Sequence, residues 1–66
     1  MNVVVNGEPR SVQAGTTVAD IVSLLGRGRE GLAVAVNEDV VPRTFWGATT
    51  LHEEDRVEVL TAAAGG

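Results

Sequence analysis

Sixty-six residues allow one domain and exclude two. With 44% hydrophobic and 21% charged residues the chain is apolar enough to fold, yet a domain near this size buries only about 60% of its unfolded surface, which leaves no room for a deep catalytic cleft. Zero cysteines, one histidine and a net charge of −4 exclude disulfide frameworks, zinc ribbons, catalytic thiols and the basic footprint of a nucleic-acid binder.

The chain opens with Met-Asn-Val-Val-Val-Asn, a β-branched run that predicts a first strand over 1–6, bounded by a turn at Gly7-Glu8-Pro9. A second short strand from Arg10 to Ala14, with Val12 on the core side, completes a hairpin. Thr17-Val18-Ala19-Asp20 carries the start pattern of a capped helix. Val18, Ile21, Val22 and Leu25 follow at helical spacing, and Gly26 stops a helix of about nine residues.

The segment Gly26-Arg27-Gly28-Arg29-Glu30-Gly31 reads as a loop. A phosphate-binding loop would stand between a strand and a helix and end in Lys-Ser or Lys-Thr, and this segment does neither. Leu32 to Asn37 predicts an internal strand, with Leu32, Val34 and Val36 on one face and Ala33 and Ala35 on the other. A turn at Glu38-Asp39 leads to an extended Val40-Val41, interrupted by Pro42. From Arg43 to Asp55 there is no clean period; Phe45 and Trp46 are expected to fold a loop or short helical turn back onto the core. Arg56 to Thr61 alternates again, with Val57, Val59 and Thr61 inward and Glu58 and Leu60 outward.

The order is therefore β-β-α-β-(β)-β, an α+β fold in which one helix crosses one face of a sheet of four or five strands. The opposite sheet face stays open. Val4, Leu60 and the alanines at 33 and 35 are expected there, and Val4 and Leu60 form one patch if the first and last strands are neighbours. The longest uninterrupted apolar run, Leu32 to Val36, is five residues where a bilayer span needs about 20, so the expectation is a cytoplasmic protein that meets no membrane.

Residues 1–61 are expected to form the domain and 62–66, Ala62-Ala63-Ala64-Gly65-Gly66, a flexible tail. Small residues at a chain end are often no more than a frayed terminus. They also suit insertion into a partner, because five extended residues reach at most ~17 Å and glycine lets backbone and carboxylate approach closely. The carboxylate of Gly66 is an anion at neutral pH and a poor electrophile. A partner must activate it. Adenylation by ATP gives a mixed anhydride that a sulfur or oxygen nucleophile can attack, and without cysteine any sulfur carried must sit on this terminus.

The segments Ala35-Val36-Asn37 and Val40-Val41-Pro42-Arg43, Trp46, Asp55-Arg56, Val57-Glu58-Val59 and the final Gly65-Gly66 together resemble the thiamine-biosynthesis sulfur carrier family. The resemblance runs over essentially the whole chain and implies the ubiquitin-like β-grasp fold. It further implies a protein co-substrate without an active site or bound cofactor of its own. A partner adenylyltransferase of the ubiquitin-activating type uses ATP on Gly66, a persulfide donor supplies sulfur, and thiazole synthase receives it from the thiocarboxylate. Ala63, Ala64 and Gly65 would enter the partner's active site, and Val4, Phe45 and Leu60 would form the partner-binding surface. Two alternatives stand beside it: a carrier for molybdopterin or cysteine synthesis, and a ubiquitin-like modifier or interaction module. Molybdopterin small subunits tend to have an aromatic or proline before Gly-Gly, where this chain has three alanines. Self-linked chains through lysine are impossible, since all five cations (10, 27, 29, 43 and 56) are arginines.

Two positions depart from the family pattern. Glu53-Glu54-Asp55 has no glycine beside the aspartate, which disfavours a left-handed turn there. Phe45 stands where the family more often has a polar or acidic residue. Trp46 is read as packing and His52 as a solvated loop residue without a proton-transfer partner. The three adjacent acids are read as a solvated turn and not a calcium loop.

Overall fold

Asn6 and Gly7 set the first hairpin. In the computed structural model, which describes residues 1–26 and 31–61, both adopt left-handed backbone conformations, φ 51° and 82°. That is the signature of a two-residue turn matched to strand twist, and Asn-Gly is the pair that tolerates it best. β1 (Asn2–Val5) and β2 (Glu8–Ser11) therefore meet as Val5 opposite Glu8 and Val4 opposite Pro9. The turn lies one residue earlier than the sequence suggests, and Pro9 belongs to the strand. β2 is an edge strand, where a missing N–H is tolerated.

Thr17 caps the helix α1 (Val18–Leu24) reciprocally: its hydroxyl accepts the Asp20 N–H at 3.2 Å, and the Asp20 carboxylate accepts the Thr17 N–H at 3.0 Å. Val18, Ile21 and Val22 are buried, Leu25 packs against them at the C-cap, and Gly26 follows with φ 71°. The helix has seven residues, shorter than the spacing predicts, because the chain already turns at Leu25. Arg27 to Glu30, most of the expected glycine-arginine loop, lie outside the described residues.

β3 (Leu32–Val36) and β4 (Asp39–Val41) form a second hairpin through Asn37 and Glu38, again left-handed at φ 51° and 75°, so this turn too sits one residue before its predicted place. A 3-10 helix, Arg43–Ala48, comes next. Its Trp46 is 1% exposed and its indole N–H donates to the Val41 carbonyl at 2.8 Å. Phe45, expected to turn onto the core with it, instead faces solvent at 57% exposure. Burying about 200 Å² of tryptophan surface is worth about 5 kcal/mol, a large share of the roughly 3–10 kcal/mol that holds a domain this size together.

The stretch without periodicity after it is placed by backbone bonds to the start of α1. Val18 N–H reaches the Thr49 carbonyl at 3.0 Å, and Leu51 N–H reaches Thr16 at 2.9 Å, which drops Leu51 into the core. β5 (Arg56–Thr61) closes the sheet in the order β2-β1-β5-β3-β4, parallel to β1 and antiparallel to β3. Val3, Val5, Val34, Val57 and Val59 point at α1, Trp46 and Leu51. This is the β-grasp arrangement: a mixed five-stranded sheet holding one short helix on one face.

Candidate functional site

β5 is the central strand and the root of the chain end. Ala63, Ala64, Gly65 and Gly66 lie outside the described residues, so the described part of the site is the strand that leads to them and the sheet face around it.

Two asparagines fix β5 from opposite sides, one from each hairpin turn. Asn37 Oδ1 accepts the Arg56 N–H at 2.9 Å, and its Nδ2 donates to Asp55 Oδ1 at 2.9 Å. Asn6 Oδ1 accepts the Val59 N–H at 2.8 Å, and its Nδ2 donates to the Val59 carbonyl at 3.3 Å. Sequence reasoning treats both residues only as strand ends. The Asn-Gly dipeptide marks the first turn, but nothing local marks a bond 53 residues away.

The turn before β5 is built by its acids. Asp55 Oδ2 accepts the His52 N–H at 2.7 Å, Glu53 Oε1 accepts the Asn2 N–H at 3.1 Å, and Glu54 N–H donates to the Asn2 carbonyl at 2.6 Å. Glu54 takes φ 68° despite having a Cβ, so the left-handed turn forms without its glycine, held by these bonds. The acids thus cap backbone. Among the described residues no group of three or more His, Cys, Asp or Glu could hold a metal ion. The His52 ring is exposed; its Nδ1 stands 3.8 Å from Asp55 Oδ2, a surface pair that adds little.

On the open sheet face, the register corrects one expectation. β1 and β5 are neighbours, but Val4 lies beside Arg56, and Leu60 is four residues further along β5, about 13 Å away. Val4 and Leu60 do not share a patch. Leu60, 63% exposed, pairs with Ala33, while Ala35 lies between Glu58 and Val40, the latter 74% exposed. The apolar part of the face therefore lies on the β3 side of β5, with Leu60 one residue before the end of the strand. Val4 is half-buried and lines a separate shallow hollow of about 230 Å³ with Asn2, Val3, Pro9 and Glu54.

A mixed five-stranded sheet with one short helix on its core face, and an outer face left uncovered by the described residues, define a β-grasp protein whose sequence continues from the central strand to Gly65-Gly66. The chain belongs to the ThiS family, whose family model matches residues 3–66. It is 29% identical over 66 residues to the sulfur carrier protein ThiS of Escherichia coli, covering all of both chains. It is 41% identical over 66 residues to a thiazole synthase of Magnetococcus marinus, and here it spans only 20% of the relative's length. The crystal structure of the thiamine biosynthesis protein ThiS from Geobacter metallireducens superposes with a TM-score of 0.84 at 35% identity over the whole of both chains. No described helix is long and apolar enough to cross a membrane.

Proposed function

We propose that this chain is the sulfur carrier of thiamine biosynthesis, a protein co-substrate and not an enzyme. The observation that carries the reading is the family match over residues 3–66, which takes in the Gly65-Gly66 end as well as the fold. The Gly66 carboxylate attacks the α-phosphorus of ATP held by an adenylyltransferase of the ubiquitin-activating type, releasing pyrophosphate. A persulfide sulfur of the donor then attacks the acyl carbon and AMP leaves. A second thiol removes the donor's sulfur as a disulfide and frees the thiocarboxylate. Each step divides a difficult exchange of oxygen for sulfur into displacements with good leaving groups.

ATP belongs to the partner, and the carrier binds no cofactor of its own. Residues 1–61 are the body that partners grip and 62–66 the tail, of which Ala63, Ala64 and Gly65 line the way to the partner's active site. Leu60 on the outer sheet face, Phe45 on the 3-10 helix and Val4 on β1 are the partner contacts, the first two more than half exposed. Thiazole synthase is the recipient, and the reaction sequence is cytoplasmic. Support for the recipient comes from relatives called thiazole synthase that contain a stretch similar to this whole chain.

The test is to offer the thiocarboxylate form to thiazole synthase and to the large subunit of molybdopterin synthase. Sulfur should pass to the first alone. Transfer only to the second would overturn the assignment to thiamine.

A further inference from the structure

The carboxamide of Asn6 does for β5 what a strand residue would do. β1 pairs with β5 only as far as Val5 opposite Val57, and then the chain leaves through the left-handed turn at Asn6 and Gly7. The next polar groups of β5 on that side are the N–H and carbonyl of Val59, a residue only 2% exposed. Left without partners at that depth they would be costly. Asn6 supplies both, an acceptor at 2.8 Å and a donor at 3.3 Å, in the manner of a peptide group. Aspartate lacks the donor, glutamine is one methylene longer, and asparagine is among the few residues with a Cβ that accept φ 51° readily.

Beyond Val5 no residue of β1 lies beside β5, so at Val59 the strand is paired with β3 on one side and would lack a backbone partner on the other. Asn6 takes that partner's place. Val59 lies two residues before the end of β5 at Thr61, after which the segment bearing Gly66 begins. Asn37 makes the matching pair of bonds at the opposite end of the same strand, to Arg56 and Asp55. One asparagine therefore ties the start of β5 and the other a point near its end.

We propose that Asn6 is a positioning residue for the acceptor terminus: by fixing the backbone at Val59 it holds the last residues of β5, from which the sequence continues to Gly66, in the geometry that the partner must grip. This rests on the carrier reading above. Asn6→Gly keeps the turn and removes the carboxamide, Asn6→Asp keeps only the acceptor, and Asn37→Gly removes the equivalent bonds far from the chain end.

The experiment measures carrier-dependent ATP–pyrophosphate exchange by the activating enzyme, with kcat and KM resolved, beside thermal unfolding and amide exchange at Val59. Asn6→Gly should lower kcat by about tenfold or more, as small misplacements of a reacting group do, with KM changed less than about threefold because Leu60 stays paired with Ala33. Asn6→Asp should recover part of kcat and keep the Val59 amide protected. Asn37→Gly should lower the melting temperature as much as Asn6→Gly and leave kcat unchanged. Equal losses of kcat in the two glycine variants, or a wild-type kcat in Asn6→Gly with Val59 exchanging freely, would overturn the proposal. Should Asn6→Gly fail to fold, Asn6→Asp decides: a kcat below wild type with Val59 still protected supports the role, and a wild-type kcat overturns it. A wild-type chain that supports no exchange overturns the carrier reading itself and the role of Asn6 with it.

Discussion

The two faces of the sheet come from the same strands and differ only by the alternation of side chains, yet they do opposite work. On the inner face Val3, Val5, Val34, Val57 and Val59 are almost fully covered by α1, Trp46 and Leu51. On the outer face Leu60 and Val40 stand 63% and 74% exposed beside Ala33 and Ala35, with none of the described residues laid over them. A domain this small has one helix to spend and can cover only one side. Stability is therefore concentrated on one face, and the other carries the contact role proposed above.

Changes that strike one side without the other break this contrast most sharply. Removing Gly66 should abolish adenylation and sulfur acceptance completely while moving the melting temperature by less than about 1 °C, since chain ends contribute little to stability. Calorimetry and the exchange assay check the two halves. Trp46→Ala attacks the inner face and should cost about 3–5 kcal/mol in urea unfolding, enough to leave much of the chain unfolded. A loss below 1 kcal/mol would show that Trp46 does not organise the core.

Leu60→Asp sharpens the comparison from the other side. It should weaken binding to the activating partner by about tenfold or more while stability stays within about 0.5 kcal/mol, as titration calorimetry and unfolding can show. Unfolding of that variant would mean that the register of β5 is wrong by one residue. The smallest effect concerns the turn that lacks its glycine. Glu54→Gly relieves a left-handed backbone and should stabilise by about 0.5–1 kcal/mol in the same unfolding experiment, with partner binding unchanged. Destabilisation would show that the backbone freedom added by glycine outweighs the relief of the left-handed conformation.

Much of this was legible in the residues because the signals are local. A β-branched run marked β1, alternation marked β3 and β5 although Thr61, expected inward, is exposed, the Thr17 to Asp20 spacing marked the capping box, and the open sheet face followed from having one helix. The hairpin boundaries slipped by one residue each because proline at 9 looked like turn chemistry, whereas an edge strand accepts it, and because Glu38 tolerates a backbone usually given to glycine. Leu51 was hidden in a stretch with no period, since its place is set by bonds to Thr16 and not by its neighbours. Register between β1 and β5 is a pairing across 52 residues, and it alone decides that Val4 meets Arg56 and not Leu60. The asparagine ties to β5 are of the same long-range kind. Of the site, the Gly65-Gly66 end and β5 were readable in the residues, and the asparagine bonds that hold β5 were not.

The central claim is that Gly66 takes on sulfur, and intact-mass measurement tests it most directly. The chain is incubated with its activating enzyme, ATP, a persulfide donor and a thiol, then weighed whole and after removal of the last residues by protease. The account gives a gain equal to one sulfur replacing one oxygen, confined to the fragment containing Gly66 and lost when ATP is omitted. An unchanged mass with an enzyme shown to be active on another carrier, or sulfur found elsewhere in the chain, would contradict it.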